Sequence, residues 1–172
     1  NDDNFMLFLY DGFFRPARIC FGWGDTRMSA TMESVLVGYE DPRIEKFFDP
    51  ATDASLYPDH PDWPYKGIRN GAALVAKDDR LTYSTINSIF NGGITERPLL
   101  TAAEVHFMMA EAALRWAWVP GTAQAHYEAG IRSSFADWGA SGVDDYLQND
   151  TGLPIDYDDP KASQIRENDF YR

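Results

Sequence analysis

The chain has a single cysteine, Cys20, so no internal disulfide can form and no CxxC zinc site exists. Basic residues are also scarce: 15 Lys and Arg stand against 27 Asp and Glu, a formal net charge of −12. Affinity for nucleic acid rests largely on basic contacts to phosphate, so no nucleic-acid partner is expected. An anionic membrane surface is disfavoured for the same reason. Long hydrophobic runs are missing too, and nothing approaches the roughly 20 apolar residues of a membrane-spanning helix. The opening "NDDNFMLFLYDG" has neither a basic n-region nor a small-residue cleavage site, and does not read as a signal peptide. It carries no initiating Met, and the chain is expected to be a fragment of a longer protein.

Catalytic signatures are equally thin. No GxSxG, GxGxxG or phosphate-loop pattern occurs. His106 has Ala110 rather than a second histidine four residues on, which rules out an HExxH zinc site. His60 and His126 are isolated in sequence. Ser-His-Asp sets are assembled in space, so that arrangement stays open at this level. Asp156, Asp158 and Asp159 resemble a calcium loop only loosely, without its glycine and closing glutamate. No metal ligand, cofactor site or catalytic residue is assigned.

What the chain does have is 44 % hydrophobic residues and 15 % aromatics, enough to build a core. Residues 1–28 form an aromatic, glycine-rich segment suited to short strands or irregular packing. In "SATMESVLVGY", Met32, Val35, Leu36 and Tyr39 follow a helical spacing, with Ser29 or Thr31 as cap and Gly38 as stop. "DPRIEKFF" follows, with Pro42 as a first-turn proline. From Asp49 to Asn70 the prolines Pro50, Pro58, Pro61 and Pro64 forbid a helix or central strand, which predicts a long loop. "LTYSTINSIFNGG" is expected to hold a short strand before a glycine turn.

The strongest pattern runs from Thr101 to Gly139. "TAAE" is a capping box joining Thr101 and Glu104. Ala103, Phe107, Ala110 and Leu114 make one stripe, widened by Val105, Met109 and Ala112. Pro120 stops the helix, and Thr122 caps a second one carrying Tyr127, Ile131, Phe135 and Trp138, closed by Gly139. The short connection predicts an antiparallel hairpin. Ala112, Ala113, Ala129 and Gly130 permit close approach, the ring-over-small-residue pattern of a tetratricopeptide-like unit. A short capped helix near Val143–Leu147 and an acidic, irregular tail follow.

Glu104 and Glu111 lie seven apart on this helix. Two turns separate them by about 10 Å, long for the roughly 5 to 9 Å of a glycosidase pair. Glu104 has a capping task and Glu111 has Arg115 at i+4, so both read as structural. The better candidates are loop aromatics with polar neighbours: Trp23, Tyr57, Asp62, Trp63, Tyr65, Arg69 and Asn70. A sugar ring offers an apolar C–H face for the rings and a rim of hydroxyls for the Asp, Arg and Asn groups. The competing reading makes Trp63 a core plug and Asn70-Gly71 only a turn.

Three ordered blocks carry a family resemblance: "MSATMESVLVGYEDPRIEKFFDPA", "YKGIRNG" and "LLTAAEVHFMMAEAALRW…PGTAQAHYEAGIRSSFADWG". Over about residues 28–139 the chain resembles the SusD-like branch of the SusD/RagB family. The acidic "DYDDP" beyond adds weaker support. The resemblance implies a mainly α fold, an α-α superhelix of tetratricopeptide-like hairpins with long irregular loops. Residues 1–172 are then one domain's portion of a larger protein: 1–28 aromatic segment, 29–100 short helices and loop, 101–139 hairpin, 140–172 acidic tail. It also implies a non-enzymatic, surface-exposed outer-membrane lipoprotein that binds glycans for a SusC-like TonB-dependent transporter. Its lipid anchor would lie outside these residues. A peptide-binding member of the family, or a tetratricopeptide-like interaction scaffold, is the alternative.

Overall fold

The structure, a computed structural model, describes residues 3–8, 24, 26–59, 61–87 and 96–148. Their elements in chain order are β1 (Phe5–Phe8), α1 (Ala30–Leu36), α2 (Ile44–Phe47), β2 (Glu96–Leu100), α3 (Ala102–Trp116), α4 (Ala123–Asp137) and α5 (Val143–Leu147). Of two 3-10 turns, Ala54–Leu56 lies within the long loop and Lys77–Thr82 follows it. β1 and β2 pair as a two-stranded sheet. The chain divides into two compact units: a helical unit of residues 1–7 and 98–172, and a loop unit of residues 8–97. No helix among the described residues is long and apolar enough to cross a membrane.

The helical unit follows its local signals. Thr101 Oγ1 accepts from the Glu104 backbone N–H at 3.1 Å, and Glu104 Oε2 accepts from the Thr101 N–H at 2.8 Å. Both halves of the predicted capping box therefore form. Thr122 Oγ1 accepts from the Ala125 N–H at 3.1 Å and starts α4. Gly139, with φ +58°, takes the left-handed position past its end. α3 and α4 pack together as the tetratricopeptide-like hairpin. A Cβ built at Gly130 would sit 2.8 Å from Cε1 of Phe107, so the ring rests directly on the glycine. Phe107 also meets Tyr127 at 6.1 Å between centroids, and Phe135 meets Tyr146 of α5 at 5.2 Å.

Three details differ from the sequence expectation. On α3 only Ala102, Ala103 and Ala110 are buried, while Val105, Phe107 and Leu114 stay partly open. α3 ends at Trp116, before Pro120 acts, because Ala117 turns left-handed at φ 52°. Asn4 supplies a tie that no local pattern announces. Its Oδ1 accepts from the Ala102 N–H at 2.7 Å, and its Nδ2 donates to Asp137 Oδ1 at 2.9 Å. One amide side chain thus satisfies a free donor at the start of α3 and holds the end of α4.

The loop unit is organised differently. Its core is Met28, Leu36, Ile44, Phe48 and Tyr65, with Val37, Phe47, Trp63 and Ile86 packed around it. Ser29 Oγ caps α1 by accepting from the Met32 N–H at 3.1 Å. α1 is short and buries Leu36 alone, leaving Met32 and Val35 exposed. Pro42 precedes the Arg43 N-cap of α2 rather than entering its first turn. Asp41 is buried and ion-paired with Arg43. A short strand is expected within residues 81–93; its described part, residues 81–87, holds isolated bridges, Thr85 with Arg27 and Ile86 with Phe48, and residues 88–93 lie outside the described residues.

These bridges belong to a set of backbone ties. Met28 N–H donates to Ser84 O at 2.9 Å, Ile68 N–H to Met28 O at 2.8 Å, and Ala51 N–H to Pro64 O at 2.8 Å. Ser84, fully buried, also accepts from the Lys66 N–H through Oγ at 3.0 Å. With few regular elements, buried backbone groups must find partners one by one, and distant segments supply them.

Candidate functional site

The loop from Tyr57 to Asn70 is positioned by the loop-unit core. Glu33 on α1 grips it with both oxygens: Oε1 accepts from Lys66 Nζ at 2.8 Å and Oε2 from the Gly67 N–H at 2.9 Å. Gly67 passes so close to α1 that a Cβ there would lie 2.3 Å from Ser29 O. Only a residue without a side chain fits this approach. Farther along, the Ala72 N–H donates to Arg69 O at 3.0 Å, and Gly71 adopts φ +76°. That places Arg69 and Asn70 at an exposed turn.

Each sequence candidate can now be located. Asp62, Arg69 and Asn70 are exposed. Tyr57 is half-buried at the end of the 3-10 turn. Trp63 is half-buried because one part of its ring packs against the core. Tyr65 is 9 % exposed and is itself a core residue. Burial, then the nearby Glu45 and Asp49 charges, raises its phenol above the ordinary tyrosine range, so it stays neutral. Trp23 lies outside the described residues, as do Cys20, His60 and the acidic Asp156, Asp158 and Asp159. The loop thus turns Tyr65 inward and its polar members outward, with Trp63 and Tyr57 between.

The carboxylates on α3 have local tasks. Glu104 completes the capping box, and Glu111 Oε1 is ion-paired with Arg115 Nη2 at 3.1 Å. His106 and His126 stack across the hairpin with centroids 6.0 Å apart and planes at 29°. His126 Nε2 lies 2.9 Å from Pro120 O, a bond in which the ring nitrogen donates. Among the described residues no group of three or more His, Cys, Asp or Glu could hold a metal ion. Sequence reasoning passed over Trp116 and Trp118, which flank the end of α3 and remain exposed. Two tryptophans straddling a helix stop were the only signal available.

Comparison with known proteins adds the family. The model for SusD-like proteins, the SusD and RagB outer-membrane lipoproteins, matches residues 1–170. A chitin-binding SusD homologue from Flavobacterium johnsoniae is 40 % identical, with a TM-score of 0.71, over 88 % of this chain and 30 % of its own. A SusD homologue from Bacteroides vulgatus is 39 % identical, TM-score 0.70, over 86 % of this chain and 29 % of its own. One from Bacteroides thetaiotaomicron is 33 % identical, TM-score 0.71, over 87 % and 29 %. The chain therefore spans less than a third of the length of these relatives. No curated protein matches it. The shared architecture is the mainly α, tetratricopeptide-like fold that the sequence predicts. Fold, family model and identity converge, and the chain belongs to the SusD-like family of outer-membrane lipoproteins.

Proposed function

We propose that the whole protein binds oligosaccharides at the bacterial surface, without catalysis, and passes them to a SusC-like TonB-dependent transporter. The observation that carries this reading is the 40 % identity, over 88 % of the chain, to a SusD homologue that binds chitin. The surface of the 57–70 loop is chemically suited to the task. Asp62, Arg69 and Asn70 offer acceptors and donors to sugar hydroxyls, and the half-buried Trp63 and Tyr57 offer ring surface on the same loop. Tyr65 contributes from below by anchoring the loop in the core. Trp23 is proposed as a further stacking residue. Glu104 and Glu111, occupied by a cap and an ion pair, are not assigned a chemical step.

Calorimetric titration of the full-length protein with a panel of soluble oligosaccharides tests the reading. Binding is expected, with Trp63→Ala and Arg69→Ala each weakening it by about fivefold to tenfold. Failure to bind any oligosaccharide, with tight binding of peptides instead, overturns the glycan assignment and selects the peptide-binding alternative.

A further inference from the structure

Asn4, Asn70 and Asn87 are the asparagines among the described residues. Two of them have their side-chain amides tied down. Asn4 accepts from the Ala102 N–H at 2.7 Å and donates to Asp137 Oδ1 at 2.9 Å. Asn87 Nδ2 donates to Glu45 O at 2.9 Å. The Asn70 amide has no hydrogen-bond partner among the described residues. The following residue differs as well: Phe5 follows Asn4 and Ser88 follows Asn87, whereas Gly71 follows Asn70. Arg69 to Ala72 form a tight turn, closed by the Ala72 N–H on Arg69 O at 3.0 Å. Gly71 holds its third position at φ +76°, the sign a type II turn requires there. The Gly71 N–H makes no hydrogen bond among the described residues, and a Cβ built on Gly71 would meet nothing within 4 Å.

We infer that Asn70 is a site of spontaneous deamidation, with water as the only co-reactant. The Gly71 backbone nitrogen, its proton taken by base, attacks Cγ of Asn70. The N–Cγ bond forms, the Cγ–Nδ2 bond breaks, and ammonia leaves with the proton. Water then opens the resulting cyclic succinimide at either carbonyl. One opening gives aspartate and the other isoaspartate, and no electron is transferred. Both reacting atoms belong to adjacent residues of one turn, so no group from elsewhere in the full-length protein has to reach them. Glycine favours the ring closure because it brings no side chain against Asn70 and its backbone rotates freely. At Asn4 and Asn87 a hydrogen bond to the amide must break first. Either product adds a negative charge to the 57–70 loop, and isoaspartate also inserts a methylene into the main chain of the turn. Where this loop meets oligosaccharide, the exchange removes the Asn70 amide donor, but the chemistry itself is independent of that function.

The test incubates the full-length protein, wild type and Gly71→Ala, at neutral and mildly alkaline pH. Peptide mapping by mass spectrometry follows Asn70, Asn4 and Asn87 in the same samples. In wild type Asn70 is expected to convert at least about tenfold faster than either of the others. Aspartate and isoaspartate should both form, and the rate should rise with pH. Gly71→Ala, checked for folding by circular dichroism, is expected to slow the conversion about tenfold. If that variant does not fold, the ranking of the three asparagines in wild type still decides. Conversion of Asn70 no faster than that of Asn87 overturns the inference. Unchanged conversion in folded Gly71→Ala does the same, as does aspartate without isoaspartate, which would mean direct hydrolysis. An Asn70 amide kept in the native protein but lost after unfolding in guanidinium also overturns it, because the folded chain then protects the turn.

Discussion

The helical unit and the loop unit solve the same problem with opposite means. In the helical unit, Thr101 and Glu104 satisfy each other's backbone donors three residues apart, and Thr122 does the same for Ala125. In the loop unit the comparable bonds join Glu33 to Gly67, Ser84 to Lys66 and Met28 to both Ile68 and Ser84. The first unit depends mainly on short-range chemistry and the α3–α4 seam, with Asn4 as its long-range tie to the start of α3 and the end of α4. The second depends on distant segments arriving in the right place, so each tie carries loop-closure entropy with it. The polar loop proposed to meet ligand is held by that second, more demanding kind of order.

The two close-approach glycines turn this difference into measurements. Gly67 abuts a backbone carbonyl, which cannot step aside, so Gly67→Ala is expected to destabilise the protein by about 3 kcal/mol. Urea melts would show it, and a change below about 1 kcal/mol would break the claim that the loop unit hangs on this approach. Gly130 abuts the ring of Phe107, which can swing. Gly130→Ala is expected to cost about 1 to 2 kcal/mol, and Phe107→Leu in the same chain should recover part of it. A double-mutant cycle with no coupling would remove the ring-on-glycine seam from the account. Thr101→Ala should have the smallest effect, about 1 kcal/mol, because it deletes a single cap while the hairpin remains. Amide exchange in the first turn of α3 would read it. A loss as large as that at Gly67 would mean that the local and distant ties are not different in kind.

The hairpin was legible because helices advertise their ends. The Thr101 and Thr122 caps, Gly139 and the small residue at Gly130 appear where the chemistry requires them. The stop of α3 was less legible. Pro120 was an adequate reason to end a helix, but Ala117 ended it first, and nothing about alanine announces a left-handed turn. On the loop, residue types pointed to a sugar-gripping surface but could not say which rings faced water. Tyr65 and Asp62 lie three positions apart, yet one is core and the other exposed. The contact of Trp116 with Trp118, whose ring centroids stack 4.7 Å apart, was invisible because it depends on that unannounced turn.

By itself the sequence determined the family blocks, the acidic balance, the capped hairpin and the proline-rich loop. These depend on spacing, composition and interactions within a few residues. Only the tertiary structure decided that Tyr65 anchors the loop from inside, that Asn4 joins the ends of α3 and α4, and that two tryptophans meet beyond a helix end. Each of these outcomes needs groups far apart in the chain, or a backbone angle that the residue type does not favour. A side chain's neighbours in space are set by the packing of the whole, which residue order constrains but does not display.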